Sequence, residues 1–524
     1  METGVEVWVR DGTGDKAWLP ALVTSKAIKS DGKFALTVSH EDGTEVHVDV
    51  PEGDDELEDI KLRNDSSDLT VENLINLPHL HEPAILFCLE QRYRSSEIYT
   101  YTGPILIAVN PFKRLTLYTT QILESFYNFG LLKSQGIESP STLGPHIYAV
   151  ADASYRSMMT VIHAGNSSAN RDFSANQAIL ISGESGAGKT ESTKIVLRYL
   201  TTVGNSSGSG AELGDGSVMD KVLQSNPVLE SFGNAKTIRN DNSSRFGKYT
   251  ELSFSKRGHL IGGTIRTYLL EKVRLPAQQL GERNFHVFYQ MIAGASDEER
   301  RQWRLLPAKD YFYTNQGNVY QLRDLNDADE FVEMRRALNT LNFDQGDQTS
   351  LFLAMAGVLH LGQIQFTPDA DGEGCDILKA HDAASLLGVS LDLVTRALTT
   401  RAIVTRDETM TKRLKVREAV AARDALAKAI YGRLFNWIVQ VINKSIQVEA
   451  SLERASIGVL GESCRLSGCL PPTHHSHAQS NPPPFLSLSP PPFRLDIFGF
   501  ECFKSNSFGT SRLPLQLAFR ERPL

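Results

Sequence analysis

The chain has 524 residues, 41 % of them hydrophobic and 22 % charged, an ordinary soluble composition at a length for which roughly three domains is the usual expectation. A net charge of −8 argues against broad electrostatic binding of nucleic acid, and no uninterrupted apolar run approaches a membrane span. Five scattered cysteines give no disulfide framework, and Met1-Glu-Thr-Gly-Val-Glu-Val7 has neither the basic flank nor the apolar core of a targeting segment, so a reducing, cytoplasmic compartment is expected.

From residue 5 to about 50, apolar and polar positions alternate around Asp11-Gly12, Asp31-Gly32 and Asp42-Gly43, the pattern of a small antiparallel barrel module spanning residues 1–55. The acidic run Glu52–Asp59 reads as a connection. Ile105–Val109 then supplies a buried strand that ends at Asn110-Pro111, and Gln177–Ser182 supplies another. The second strand runs straight into Gly183, Glu184, Ser185, Gly186, Ala187, Gly188, Lys189 and Thr190, followed by the helical spacing of Thr190–Leu200. In that G-x-x-x-x-G-K-T pattern the glycines leave backbone N–H groups free to surround polyphosphate. Lys189 reaches the terminal phosphates, Thr190 offers a hydroxyl to Mg²⁺, and the phosphate faces the positive end of a helix.

Gly204–Ser217 reads as a flexible loop without capacity for a core. Asn240-Asp-Asn-Ser-Ser-Arg-Phe-Gly-Lys248 has the composition of a polar loop that closes over the phosphate site, and the pairing of the two segments points to nucleotide hydrolysis. Glu251–Phe254 and Gly263–Leu269 read as a strand pair, after which most of residues 283–450 has helical periodicity. Lys412–Arg417 is either a solvated helix face or a local basic patch for an acidic partner. The fold class is α/β with a large helical part.

At this point the residues resemble a myosin motor domain, from residue 5 to 460 and again over 496–508. Beyond the two nucleotide loops, the resemblance rests on Gly233–Thr237, Leu270–Arg274, Gly281–Gln290, Asp424–Lys428 and Asp496-Ile-Phe-Gly-Phe-Glu501. It implies a P-loop NTPase core over residues 65–460 with a mixed central sheet flanked by helices, a large helical subdomain and the small N-terminal barrel. It also implies an ATP hydrolase using MgATP and binding actin filaments in the cytoplasm. Light chains would bind only through a lever region further along; nucleic acid is not an implied partner.

Carried over residue by residue, Asn110, Pro111, Arg114 and Tyr118 would line the adenine site, with Thr116 where the family usually has proline. Lys189 and Asn240 would hold the phosphates, Thr190 and Ser244 would bind Mg²⁺, and Asp496 would orient a water around the metal. Ser243 would lie beside the attacking water, Gly499 would give its N–H to the γ-phosphate, and Arg245 with Glu501 would form the ion pair that closes the gate. Glu408, in Arg401–Glu408, occupies the actin-facing position where some relatives require a phosphorylatable residue, so its charge would be built in. Val273 stands where relatives carry a small hydroxyl residue, and nothing physical accounts for it.

Residues 461–495 depart from the pattern. In the family Ile457–Leu460 would continue into Asp496–Phe500 as one strand, and a proline-rich insertion would split it. Cys464, Cys469, His474, His475 and His477 match no standard zinc spacing. Gly461-Glu-Ser463 can be encoded by a splice donor and the Pro, Phe, Leu and Ser codons by a pyrimidine tract, so residues 461–495 read as translated intron. Residues 496–508 are the second switch segment, and 509–524 form an unrelated tail. A chain that stops there could be a nucleotide-binding fragment without force generation.

Overall fold

Alternating apolar positions build an N-terminal sheet of β1 (Glu6–Arg10), β2 (Trp18–Ile28), β3 (Phe34–His40), β4 (Glu45–Val50) and β5 (Ile60–Leu62), paired antiparallel in the order β4-β3-β2-β1-β5. In β3, Leu36 and Val38 are buried while Ala35, Thr37 and Ser39 are only partly so, and the two inward residues join Val7, Val9, Val23 and Ile60 in one cluster. The Asp42-Gly43 turn holds because Gly43 adopts φ +83° and the Asp42 carboxylate accepts from the Thr44 N–H at 2.9 Å. The structure is a computed structural model describing residues 2–11, 17–28, 34–40, 42–50, 59–65, 70–137, 143–164, 175–184, 186–206, 217–323, 325–404, 409–448, 452, 455–461 and 494–500. The turn positions Gly12, Asp31 and Gly32 lie outside them.

Two units divide the chain, residues 1–150 with 495–524 and residues 151–494. The first continues with α1 (Glu82–Arg94), the antiparallel pair β6 (Tyr99–Thr102) and β7 (Ile105–Val109), α2 (Thr120–Ser134) and the first turn of α3 (Ile147–Ala164). Ala84, Cys88 and Leu89 of α1 pack on Ile107 and Val109 of β7. The expected strand at 105–109 is therefore present, and its apolar run is explained by burial.

In the second unit β8 (Gln177–Gly183) leads through the phosphate loop into α4 (Lys189–Ser206). Then come α5 (Val218–Gly233), the short antiparallel pair β9 (Asn234–Ala235) and β10 (Ser243–Ser244), and the long antiparallel pair β11 (Gly247–Phe254) and β12 (Leu260–Tyr268). Helices follow: α6 (His286–Gly294), α7 (Asp297–Gln302), α8 (Phe312–Asn315), α9 (Asp327–Thr340) and α10 (Gln345–Gly362). The hairpin β13 (Gln365–Pro368) with β14 (Cys375–Leu378), then α11 (His381–Leu386), α12 (Leu391–Thr399), the hairpin β15 (Thr400–Val404) with β16 (Thr409–Arg413), and α13 (Val416–Ile446) complete this part. Asn443 on α13 accepts from the Ile265 N–H at 2.7 Å and donates to its carbonyl at 2.8 Å, so a side-chain amide satisfies backbone groups at the edge of β12.

Three expectations change. Gly204–Ser206 belong to α4 rather than to a loop, and Gly204 is needed there, because a Cβ would lie 2.9 Å from Leu260 Cβ. The helical stretch 283–450 is interrupted by the two hairpins. Lys412 and Arg413 end β16, so the basic patch is not a helix face: Arg413 pairs with Asp369 at 2.7 Å and Lys412 with Glu418 at 3.5 Å.

Strand β17 (Ala455–Gly461) pairs antiparallel with β11 and parallel with β8, giving a mixed β12-β11-β17-β8 arrangement in which Ile179, Ile181, Ile457 and Val459 are buried. Strand β18 (Arg494–Phe500) runs parallel to β7 in the first unit, with Gly499 opposite Ala108. Asp496 therefore does not continue the strand that ends at Gly461.

Gly458 sits opposite Glu251 and Ala178, and a Cβ there would lie 2.2 Å from the Tyr249 hydroxyl oxygen and 2.6 Å from its ring. Gly458→Ala is expected to overpack this sheet and lower unfolding stability by about 1–3 kcal/mol, read as a reduced urea midpoint at unchanged slope.

Candidate nucleotide site

On the phosphate side, β8 stops at Gly183 and α4 starts at Lys189, with Gly186 at φ +86° and Gly188 at φ +95° making the turn between them. Only glycine takes these angles without strain, which is the physical reason for their spacing. The Lys189 ammonium is folded over the loop, donating to the carbonyls of Gly183 and Glu184 at 2.6 Å each. Ser185 lies outside the described residues.

The polar loop is fastened at both ends. Arg245 N–H donates to the Gly233 carbonyl at 2.9 Å, and Ser243-Ser244 pair with Asn234-Ala235. Gly233 permits a very close approach, since a Cβ would sit 2.2 Å from the Phe246 ring. Within the loop the Asn240 side-chain oxygen accepts from Asn242 N–H at 2.9 Å, while Asn234 donates to the Asn242 side chain at 2.9 Å. Ser244 Oγ donates to the Phe246 carbonyl at 2.9 Å.

These anchors bring Lys189, Thr190 and Ser244 to one small cleft of about 50 Å³, with Asn226, Glu230, Lys248 and Gly461 among its walls. The hydroxyls of Thr190 and Ser244 are hard oxygen donors of the kind that fit Mg²⁺ keeping most of its water shell. Lys248 is half-buried and bonded to the Asn226 side-chain oxygen; desolvation brings its pKa down to about 8, with Glu230 opposing and Lys194 adding to the effect. Glu230 pairs with Lys194 at 2.8 Å. Gly461 is the last residue of β17.

Arg245 has a partner that the sequence reading did not supply. Its Nε donates to Glu271 at 2.6 Å and its Nη1 to Ser243 Oγ at 3.2 Å, while Glu271 N–H donates to the Arg245 carbonyl at 2.9 Å. The same carboxylate accepts from Arg274 at 2.8 Å, and Arg274 reaches Glu282 at 2.9 Å. Glu271 is 26 residues from Arg245, and no local spacing marks the pair. Glu501, the implied partner, lies outside the described residues, as does Glu408.

Asn110, Pro111, Arg114 and Tyr118, expected from the resemblance to line the adenine site, belong to the first unit. Asn110 closes the turn after β7, its side-chain oxygen accepting from Phe112 N–H at 2.9 Å with Phe112 at φ +48°. Pro111 follows directly, and Arg114 is exposed. Tyr118 ends the short 3₁₀ turn Thr116–Tyr118, its hydroxyl 2.7 Å from that of Tyr99. Asp496 and Gly499 lie on β18 of this unit. Among the described residues no group of three His, Cys, Asp or Glu side chains could hold a metal ion, and no helix is long and apolar enough to cross a membrane. The cysteines and histidines of residues 464–477 lie outside the described residues.

Burial alone would raise the Glu271 pKa, but hydrogen bonds and charge from Arg245 and Arg274 outweigh it and hold the carboxyl below its ordinary 4.5. Because the folded value is the lower one, the carboxylate's contribution is complete above about 4.5 and is lost as pH falls through the folded value. Glu271→Gln is expected to cost about 1.5–3 kcal/mol at neutral pH. The gap from wild type should shrink on acidification to pH 4, measured by urea unfolding at both pH values.

The family model described as Myosin head (motor domain) matches residues 71–462. Unconventional myosin-Vb of Mus musculus is 37 % identical over 507 residues, covering 96 % of this chain and 24 % of the relative. Myosin-15 of Arabidopsis thaliana is 38 % identical over 521 residues, covering 97 % and 29 %, and Protein OPAQUE1 of Zea mays is 41 % identical over 445 residues, covering 84 % and 25 %. The chain thus spans about a quarter of the length of the curated relatives it matches. With the match running from before the base-side turn to the end of β17, and the glycine loop and polar loop folded onto one cleft inside it, the chain belongs to the myosin head (motor domain) family.

Proposed function

We propose that this chain binds MgATP and carries the hydrolytic machinery of an actin-based motor. The observation that carries the reading is the meeting of Lys189, Thr190 and Ser244 in one cleft. Asn110, Pro111, Arg114 and Tyr118 hold the base; Gly183, Glu184, Ser185, Gly186, Ala187, Gly188, Lys189 and Asn240 hold the phosphates. Thr190 and Ser244 would hold Mg²⁺, which when bound would supply charge neutralisation at the phosphate oxygens. Ser243 lies beside the attacking water, the Gly499 N–H meets the γ-phosphate, and Asp496 orients a water beside the metal. Arg245 and Glu501 exclude bulk water when they pair, and the chain's own part is positioning and electrostatics rather than a covalent step. The N-terminal sheet acts as a small barrel module, and Glu408 supplies fixed charge at an actin-facing loop in the cytoplasm.

We infer as well that residues 461–495 are intron-derived. Without them Asp496 would follow Leu460 at the position Gly461 holds beside Thr190 and Ser244, which is where the metal chemistry needs a carboxylate. Sequencing the transcript across codons 455–524 is expected to lack codons 461–495; finding them in the mature message overturns this inference.

Lys189→Ala is expected to weaken binding of a fluorescent ATP analogue about 10- to 100-fold, the loss of charge-assisted hydrogen bonds to phosphate, with the melting profile unchanged. Equal affinity in the variant would sink the nucleotide reading. Actin-stimulated phosphate release tests the motor reading separately: nucleotide binding that actin leaves unaffected reduces the chain to a nucleotide-binding fragment.

A further inference from the structure

We infer that His146 is a positioning residue of the nucleotide-base pocket, fixing the turn that presents Tyr118. The inference rests on the reading of Tyr118 as a base contact. Thr116–Tyr118 is a single 3₁₀ turn with no capping side chain at its start and no buried residue of its own. A turn so poorly supported from within must be held from outside.

Three groups hold it. His146 Nε2 lies 3.1 Å from the Leu117 carbonyl oxygen, the Tyr99 hydroxyl lies 2.7 Å from that of Tyr118, and the Tyr148 hydroxyl reaches the Tyr118 carbonyl at 3.5 Å. The His146 ring has no freedom to do otherwise. It stacks on Phe126 at 4.8 Å and touches the rings of Tyr148 at 4.7 Å, Tyr99 at 5.2 Å and Tyr118 at 5.8 Å. Its Nδ1 accepts from the Tyr148 N–H at 3.0 Å in the first turn of α3.

The tautomer follows from these partners. A backbone N–H only donates and a carbonyl only accepts, so Nδ1 is the bare nitrogen and Nε2 carries the proton. Burial supports the neutral form, bringing the pKa down to about 4 against the opposing bond to Leu117. One neutral imidazole therefore ties the start of α3 to the middle of the turn, with two directional bonds that a carbon side chain of equal size could not make. A histidine that merely filled the core would leave the turn's position, and hence discrimination of the base, unaffected.

The test compares affinities of MgATP and Mg-tripolyphosphate, which lacks the base, for the full chain and for His146→Ala, His146→Asn and His146→Gln. Asn can supply the acceptor at α3 but does not reach Leu117; Gln reaches further and can donate there. Losing the Leu117 bond is expected to weaken MgATP binding roughly 3- to 10-fold, in Ala and Asn alike, with tripolyphosphate unchanged and partial rescue in Gln. Asn is the decisive variant if Ala does not fold. A wild-type preference for ATP over tripolyphosphate that survives in Asn overturns the role of His146. Absence of any such preference in wild type overturns the base-site reading itself, and failure of all three variants to fold assigns His146 to the core alone.

Discussion

Arg245 is held at its backbone and at its side chain by one residue, Glu271, and the geometry of the polar loop depends on that double tie. Both groups are largely withdrawn from water, with side-chain exposures of 11 % and 22 %. A guanidinium at such a depth costs several kcal/mol in lost hydration unless a carboxylate meets it. Glu271 is itself shared with Arg274, which passes to Glu282, so the loop is the first member of a chain of alternating charges. Arg283, fully buried, pairs with Asp327 at the start of α9 and lies 3.7 Å over the Tyr289 ring. Charge neutrality inside a low-dielectric region therefore fixes where the loop lies.

The same constraint explains the cleft. The half-buried Lys248 ammonium is bonded to the Asn226 side chain, while the nearby Glu230 is already engaged by Lys194. A half-buried ammonium beside two hydroxyls suits a site that receives negative charge from a ligand. Gly461, at the end of β17, lines the same cleft.

On the base side, support comes from aromatic packing and directional hydrogen bonds rather than from ion pairs. Tyr99, Tyr118, Phe126, His146 and Tyr148 form one contiguous group, and its polar atoms find partners within the group or on adjoining backbone. Such networks hold a unique geometry when every member is satisfied. The turn carrying Tyr118 is poorly buried, so its rigidity is borrowed from residues around it.

Strands 105–109 and 177–183, the glycine loop and the helix after it were legible in the sequence, because each follows from local rules: apolar runs for buried strands, glycines at positive φ, and helical spacing. The strand-loop-helix order around Lys189 was legible for the same reason, since a loop and the helix it opens are contiguous in the chain. The extension of α4 through Gly204 was hidden, because that glycine is set by contact with Leu260, 56 positions on in the numbering. So were the hairpins at 365–378 and 400–413, whose pairing competes with helical periodicity. Glu271 as the partner of Arg245, His146 as the anchor of Leu117, and the pairing of the strand that carries Asp496 with β7 were decided only by tertiary structure. Each depends on desolvated charge, hydrogen-bond direction or strand pairing between segments remote in sequence, which no local pattern encodes.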